Sequence, residues 1–121
     1  MPRALQILLD LAVVLAFAAI GRASHAEALD PSQLFRTAAP FVLATLMAWV
    51  LLVMRPGLVA GWRQAALVWG TTLILGMLFR AMLGQGVQPS FVAVAGSVLL
   101  AGMAGWRVLS YAALRARHGD R

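Results

Sequence analysis

Four long runs of apolar residues, parted by short turn signals, constrain this chain more than any single motif. They lie at about residues 4–20, 41–54, 61–83 and 90–111. A helix that crosses a bilayer needs about 20 residues, so four crossings with short connections use nearly all of the 121 residues. Transmembrane strands would alternate apolar and polar residues over stretches of about ten, and these runs are continuously apolar instead. The expectation is an all-α bundle of four transmembrane helices, forming one domain over residues 1–121 with a short basic tail at 112–121. No length is left over for a soluble domain.

Composition supports lipid as the solvent. Hydrophobic residues make up 62% of the chain and charged residues 12%, and the mean hydropathy is +0.86. A soluble domain is roughly half apolar and about a quarter charged, so too few polar side chains remain here to cover a water-facing surface. The chain has no cysteine, which excludes disulfides, thiolate metal sites and a cysteine nucleophile. The first run, flanked by Arg3 and by Ser24-His25-Ala26, has the outline of a signal peptide and its cleavage site. Asp10 argues against cleavage, because a carboxylate inside an apolar core costs a few kcal/mol. The run is therefore read as a retained first helix.

Turn chemistry sets the boundaries. Gly21-Arg22 ends helix 1. Asp30-Pro31-Ser32-Gln33 has the order of a helix start, with Asp at the cap and Pro at the first position. Pro40 is expected to kink or restart the chain before the apolar body of helix 2, leaving residues 30–40 as a short interfacial turn. Arg55-Pro56-Gly57 is a turn, Gly84 is placed to cap the end of helix 3, and Ser90 suits the N-cap of helix 4.

Arginine supplies all ten basic residues. Arg3, Arg55, Arg63, Arg107, Arg115, Arg117 and Arg121 fall at one end of such a bundle, and Arg22, Arg36 and Arg80 at the other. The excess of positive charge places the N- and C-termini in the cytoplasm. Trp49, Trp62, Trp106 and Tyr111 fall near the same face, where an interfacial aromatic belt is expected.

Asp10 is the residue most able to carry chemistry. It lies about 10 Å into helix 1 at 1.5 Å per residue, and an ionisable group at such a depth faces the bundle interior or a wet cavity and needs a partner. Arg63 and Arg107 are the candidate ion-pair partners. Asp10 is either a carboxylate that handles protons or cations, or a structural tie from helix 1 to helix 3 or 4. A second polar group, Arg22, His25, Glu27, Arg36, Arg80 and Gln85, gathers at the other end. It reads as a solvated rim, with Arg22 and His25 as an outer cluster that a pH change or an anion could address. Arg80 stands out, since it interrupts apolar sequence and must snorkel or pair.

Ala93, Ser97, Ala101 and Gly105 put small residues at a spacing of four along helix 4, a pattern that lets another backbone approach closely. The approach could be within the bundle or between protomers. Ala44 and Ala48 offer a lesser version on helix 2, and Gly70, Thr71, Thr72 and Gly76 make helix 3 permissive of close packing.

Ordered short motifs add a family resemblance. Gly21-Arg22-Ala23-Ser24-His25, Thr37-Ala38-Ala39-Pro40-Phe41 and Trp69-Gly70-Thr71-Thr72 are followed by Gly76-Met77-Leu78-Phe79-Arg80 and Gly84-Gln85-Gly86. Ser90-Phe91-Val92 and Gly105-Trp106-Arg107 complete the series. In this order and spacing, over roughly residues 8 to 108, the chain resembles a small bacterial and archaeal membrane family catalogued as domain of unknown function 3054. Val87 departs from the resemblance, which leads one to expect a smaller or polar residue there. The resemblance implies a four-helix protein of the cytoplasmic membrane and no particular activity.

Two functions compete. The first is a dimeric transporter or channel, with its pathway between protomers, Asp10 as the ion-handling carboxylate and Arg80 and Gln85 at the outer mouth. The other is a non-transporting scaffold, subunit or assembly factor, for which Asp10 and the small-residue stripe serve packing. No nucleophile–base pair suggests an enzyme. His25 and His118 are too far apart to suggest a metal site, and no phosphate loop or dinucleotide fingerprint suggests a cofactor. The expected partners are the bilayer, a second copy of the chain, and anionic lipid headgroups at the arginine tail. That tail is too small a basic surface for nucleic acid.

Overall fold

A computed structural model describes residues 2–24 and 30–119. Among them are four helices: α1 (Arg3–Ser24), α2 (Pro31–Met54), α3 (Trp62–Met82) and α4 (Pro89–Gly119). Each is long and apolar enough to cross a membrane. They run up and down in sequence, every helix packing on its chain neighbours and α4 returning onto α1. The bundle is therefore a closed ring of four. The start of α1, the end of α4 and the α2–α3 connection lie at one end, called here the terminal end. The end of α1, the start of α2 and the α3–α4 connection lie at the other, the loop end.

Large apolar side chains on the outside, including Leu8, Ile74, Leu78, Met82 and Leu109, are more than half exposed, as lipid-facing residues are. Inside, the packing is layered. Phe17, Phe41 and Phe91 meet near the loop end, with Phe17 edge-on to Phe41 at 5.2 Å between ring centroids and Phe91 5.8 and 6.2 Å from the other two. Below them the Thr45 and Thr72 hydroxyls share a hydrogen bond of 2.8 Å. Val14, Val68, Leu99 and Met103 fill the next level, all fully buried.

The helices α2 and α3 pack most extensively, and small residues make that contact close. Ala44 and Ala48 are buried on α2. Nearer the loop end, Gly76 on α3 leaves room for the Phe41 ring, which a Cβ at that position would overlap. Gly102 does the same for Val13 on the α1–α4 side, where a Cβ would come within 2.5 Å of Cγ1.

Several boundaries differ from the sequence expectation. Residues 30–40 are not a separate interfacial turn: α2 is continuous from Pro31 to Met54 with Pro40 inside it. Asp30 is the N-cap and Pro31 opens the helix, but the Asp30 carboxylate accepts from the Ser32 hydroxyl (2.7 Å) and caps no backbone N–H. Pro40 has no N–H to give the Arg36 carbonyl one turn earlier. The Gln85 side chain, from the α3–α4 connection, donates to that carbonyl at 3.2 Å instead. The helix continues because its missing bond is replaced from outside.

α3 ends in a Schellman arrangement. Gly84, at φ +75°, donates to the Ala81 carbonyl and Gln85 donates to that of Arg80, and glycine is suited to this left-handed position. α4 starts at Pro89 rather than being capped by Ser90, since proline fits the first helical position. It also runs on to Gly119, so most of the tail is helical. Ala112, Ala113, Leu114, Arg115, Ala116 and Arg117 are all strong helix formers, and nothing breaks the run before Gly119.

Candidate functional site

Asp10 stands two turns into α1 and is fully buried. Its carboxylate is held from two other helices. From α2, Trp49 Nε1 donates to Oδ2 at 2.9 Å. From α4, Trp106 Nε1 donates to Oδ1 at 2.8 Å, and Arg107 donates through Nη1 to Oδ1 and through Nη2 to Oδ2, both at 2.9 Å. A carboxylate has about four lone-pair sites, and all are occupied here. The Arg107 pairing is the two-pronged geometry that makes Arg–carboxylate contacts strong and directional.

Arg107 is itself fixed by its surroundings. Nη1 also donates to the Met103 carbonyl at 2.9 Å, and Nη2 reaches Gln64 Oε1 of α3 at 3.4 Å. The guanidinium carbon lies 4.2 Å from the Trp106 ring centroid, within cation–π range. Five residues from four helices thus form one polar layer beneath the apolar core. Arg107 Nε is buried and has no hydrogen-bond partner among the described residues.

Of the two partners considered for Asp10, Arg107 pairs with it. Arg63 is exposed at the start of α3, with its guanidinium over the Trp62 ring. The aromatic belt needs correction too. Trp62 and Tyr111 are exposed as an interfacial residue would be, but Trp49 is only 3% exposed, Trp106 is half-buried, and both serve Asp10. A buried indole N–H seeks an acceptor, and Trp49 lies five residues from the end of α2, at about the depth of Asp10 in α1. That match in depth was the available signal.

At the loop end Arg80 is wrapped by its own connection. Its Nε donates to the Gly86 carbonyl (2.6 Å), its Nη1 to Gln85 Oε1 (2.8 Å), and its guanidinium carbon lies 4.0 Å from the Phe91 ring centroid. Gln85 in turn bonds α2 through the Arg36 carbonyl. Arg22 donates to Thr37 Oγ1 at 3.2 Å, tying α1 to α2. These side chains line a hollow of about 740 Å³ with Arg36, Gln88 and Phe91. His25 and Glu27 lie outside the described residues, as does Arg121.

The stripe on α4 points outward. Ala93, Ser97 and Ala101 are exposed, Gly105 is half-buried, and nothing lies within 4 Å of where a Gly105 Cβ would stand. Inside the bundle α4 presents Ala95, Leu99 and Met103 instead. Among the described residues, no group of three or more His, Cys, Asp or Glu side chains gathers as a metal site would require.

Four apolar spans closed around one internal polar layer define a multi-pass helical membrane protein. Comparison with known families places it further: the family described as "Protein of unknown function (DUF3054)" matches residues 7–110, and the chain belongs to that family. No curated protein and no solved structure matches it.

Proposed function

We propose that this protein is a non-transporting membrane scaffold, subunit or assembly factor, with both termini in the cytoplasm and without catalytic activity. The saturation of Asp10 carries this reading. A carboxylate that shuttles ions must exchange its partners in every cycle, whereas all four acceptor positions of Asp10 are engaged, three of them by the single Trp106-Arg107 pair. Releasing them would strand a fully buried acid beside a mostly buried cation, and separating such a pair is strongly unfavourable. The three phenylalanines also fill the bundle axis between Asp10 and the loop-end hollow. The arginine excess at the terminal end supports the cytoplasmic orientation.

The loop-end hollow favours the alternative, a dimeric transporter or channel using Asp10, because Arg22, Arg36, Arg80 and Gln85 line it as an outer mouth would. Proton and ion flux in proteoliposomes separates the two, with wild type and Asp10→Asn compared at matched oligomeric state. The scaffold reading expects no flux above empty liposomes from wild type and a less stable Asp10→Asn protein. Wild-type flux that vanishes in an Asp10→Asn protein of unchanged stability would establish transport instead.

A further inference from the structure

At the terminal end a groove of about 740 Å³ opens beside α4, between its last turns, the α2–α3 connection and the start of α3. Most of its wall is apolar or aromatic: Val59, Trp62, Ala104, Tyr111 and Leu114. Two cations reach it, Arg107 and Arg115, and among the described residues no carboxylate lines it. Arg115 stands over the Tyr111 ring, 5.9 Å from its centroid, and Arg63 stands over Trp62. The nearby acid, Asp10, is consumed by Arg107, so Arg63 and Arg115 give this rim a positive charge that no carboxylate among the described residues of the lining offsets. Trp62 and Tyr111 are 76% and 65% exposed, the situation of aromatic side chains at a membrane–water boundary.

A long apolar slot whose rim is cationic and aromatic matches one molecule abundant at that boundary. We infer that the groove holds an anionic phospholipid, its acyl chain along Val59, Ala104 and Leu114 and its phosphate at Arg115. The volume falls within the range of ordinary ligand sites, and guanidinium is well suited to phosphate. Arg107 contributes a second feature: its Nε–H is a buried donor for which the described residues supply no acceptor. The inference rests on the membrane-spanning fold and is independent of whether the protein transports.

The test uses the full chain in detergent, with bound lipid counted by native mass spectrometry. Phosphatidylglycerol, phosphatidylcholine and inorganic phosphate are the probes. Phosphatidylglycerol should bind at least several-fold more tightly than phosphatidylcholine, and inorganic phosphate should not displace it. Arg115→Gln should weaken phosphatidylglycerol about tenfold, the effect of losing one direct hydrogen bond to a charged group. Arg117→Gln, which removes the same charge from the same helix outside the groove, should leave it unchanged. Ala112→Trp, which fills the groove, should abolish retention of the lipid while thermal unfolding stays as in wild type. Equal binding of both lipids, or equal losses from Arg115→Gln and Arg117→Gln, would reduce the groove to diffuse surface charge and overturn the inference. Displacement by inorganic phosphate would overturn it in favour of a free-anion site.

Discussion

Replacing Asp10 by asparagine tests the polar layer with the smallest change of shape. Asparagine offers one acceptor oxygen and one NH₂ group. If the amide nitrogen takes the Oδ2 position it faces Trp49 Nε1 and Arg107 Nη2; in the Oδ1 position it faces Trp106 Nε1 and Arg107 Nη1. Either rotamer sets two donors against a donor, and Arg107 loses its counter-charge in both. Removing one partner of a buried ion pair costs about 3–5 kcal/mol. Hydrogen bonds within membrane bundles measure about 0.6–1.7 kcal/mol each, so two lost bonds give about 1–3 kcal/mol. The ranges meet near 3 kcal/mol, which is the expected destabilisation. Tryptophan fluorescence during unfolding by a denaturing detergent reads it directly, since two of the four indoles contact the mutated group. A companion cycle sharpens the test: Asp10→Leu alone strands the arginine, whereas Asp10→Leu with Arg107→Leu removes both charges and should recover at least about 2 kcal/mol, because an apolar replacement of a whole pair is often tolerated. An Asp10→Asn protein within about 0.5 kcal/mol of wild type, the usual effect of a neutral surface change, would refute the idea that this layer locks the bundle.

Other substitutions probe the packing and topology. Gly76→Ala should cost about 1–3 kcal/mol, typical of overpacking, because the new methyl collides with Phe41; thermal unfolding in detergent measures it. Gln85→Leu removes two hydrogen bonds, the one given to the Arg36 carbonyl and the one accepted from Arg80, and should cost about 2 kcal/mol at about 1 kcal/mol each. The loss should be clearly smaller when combined with Pro40→Ala, which returns an N–H to the Arg36 carbonyl, and equal losses in the two backgrounds would disprove the replacement bond. The chain has no native cysteine, so single cysteines report topology cleanly. Arg117→Cys should be labelled by an impermeant maleimide only from the cytoplasmic side and Ser90→Cys only from the opposite side; the reverse pattern would invert the proposed orientation.

The number of helices was legible because long apolar runs and glycine or proline turns are local signals. The Gly84 cap was legible for the same reason, a glycine directly after an apolar helix. Pro40 misled because its effect depends on Gln85, 45 positions away in sequence, which no local rule connects to it. The α4 tail misled because basic residues were read as solvated ends, although alanine, leucine and arginine favour helix wherever the backbone is free to continue. At the site, the sequence made Asp10 conspicuous by its depth but could not choose between Arg63 and Arg107, both on the right half of the bundle. Trp49 was hidden by its residue type, since a tryptophan near a helix end satisfies both an interfacial and a buried reading. Only the helix rotation, set by packing on all sides, distinguishes them.

The Asp10–Arg107 pair joins residues 97 positions apart. Ribosomes add about 5–20 residues per second, so the acid of the first helix is made roughly 5–20 s before its cation exists. Trp49 arrives earlier, 39 positions after Asp10, and can hold one oxygen during the interval. Neutralisation waits for α4, whose arrival closes the ring and brings the remaining three donors in one step. Closure of the bundle and disappearance of an isolated membrane charge are therefore a single event. A chain that stops before its fourth helix is left carrying an unpaired acid at a cost of a few kcal/mol.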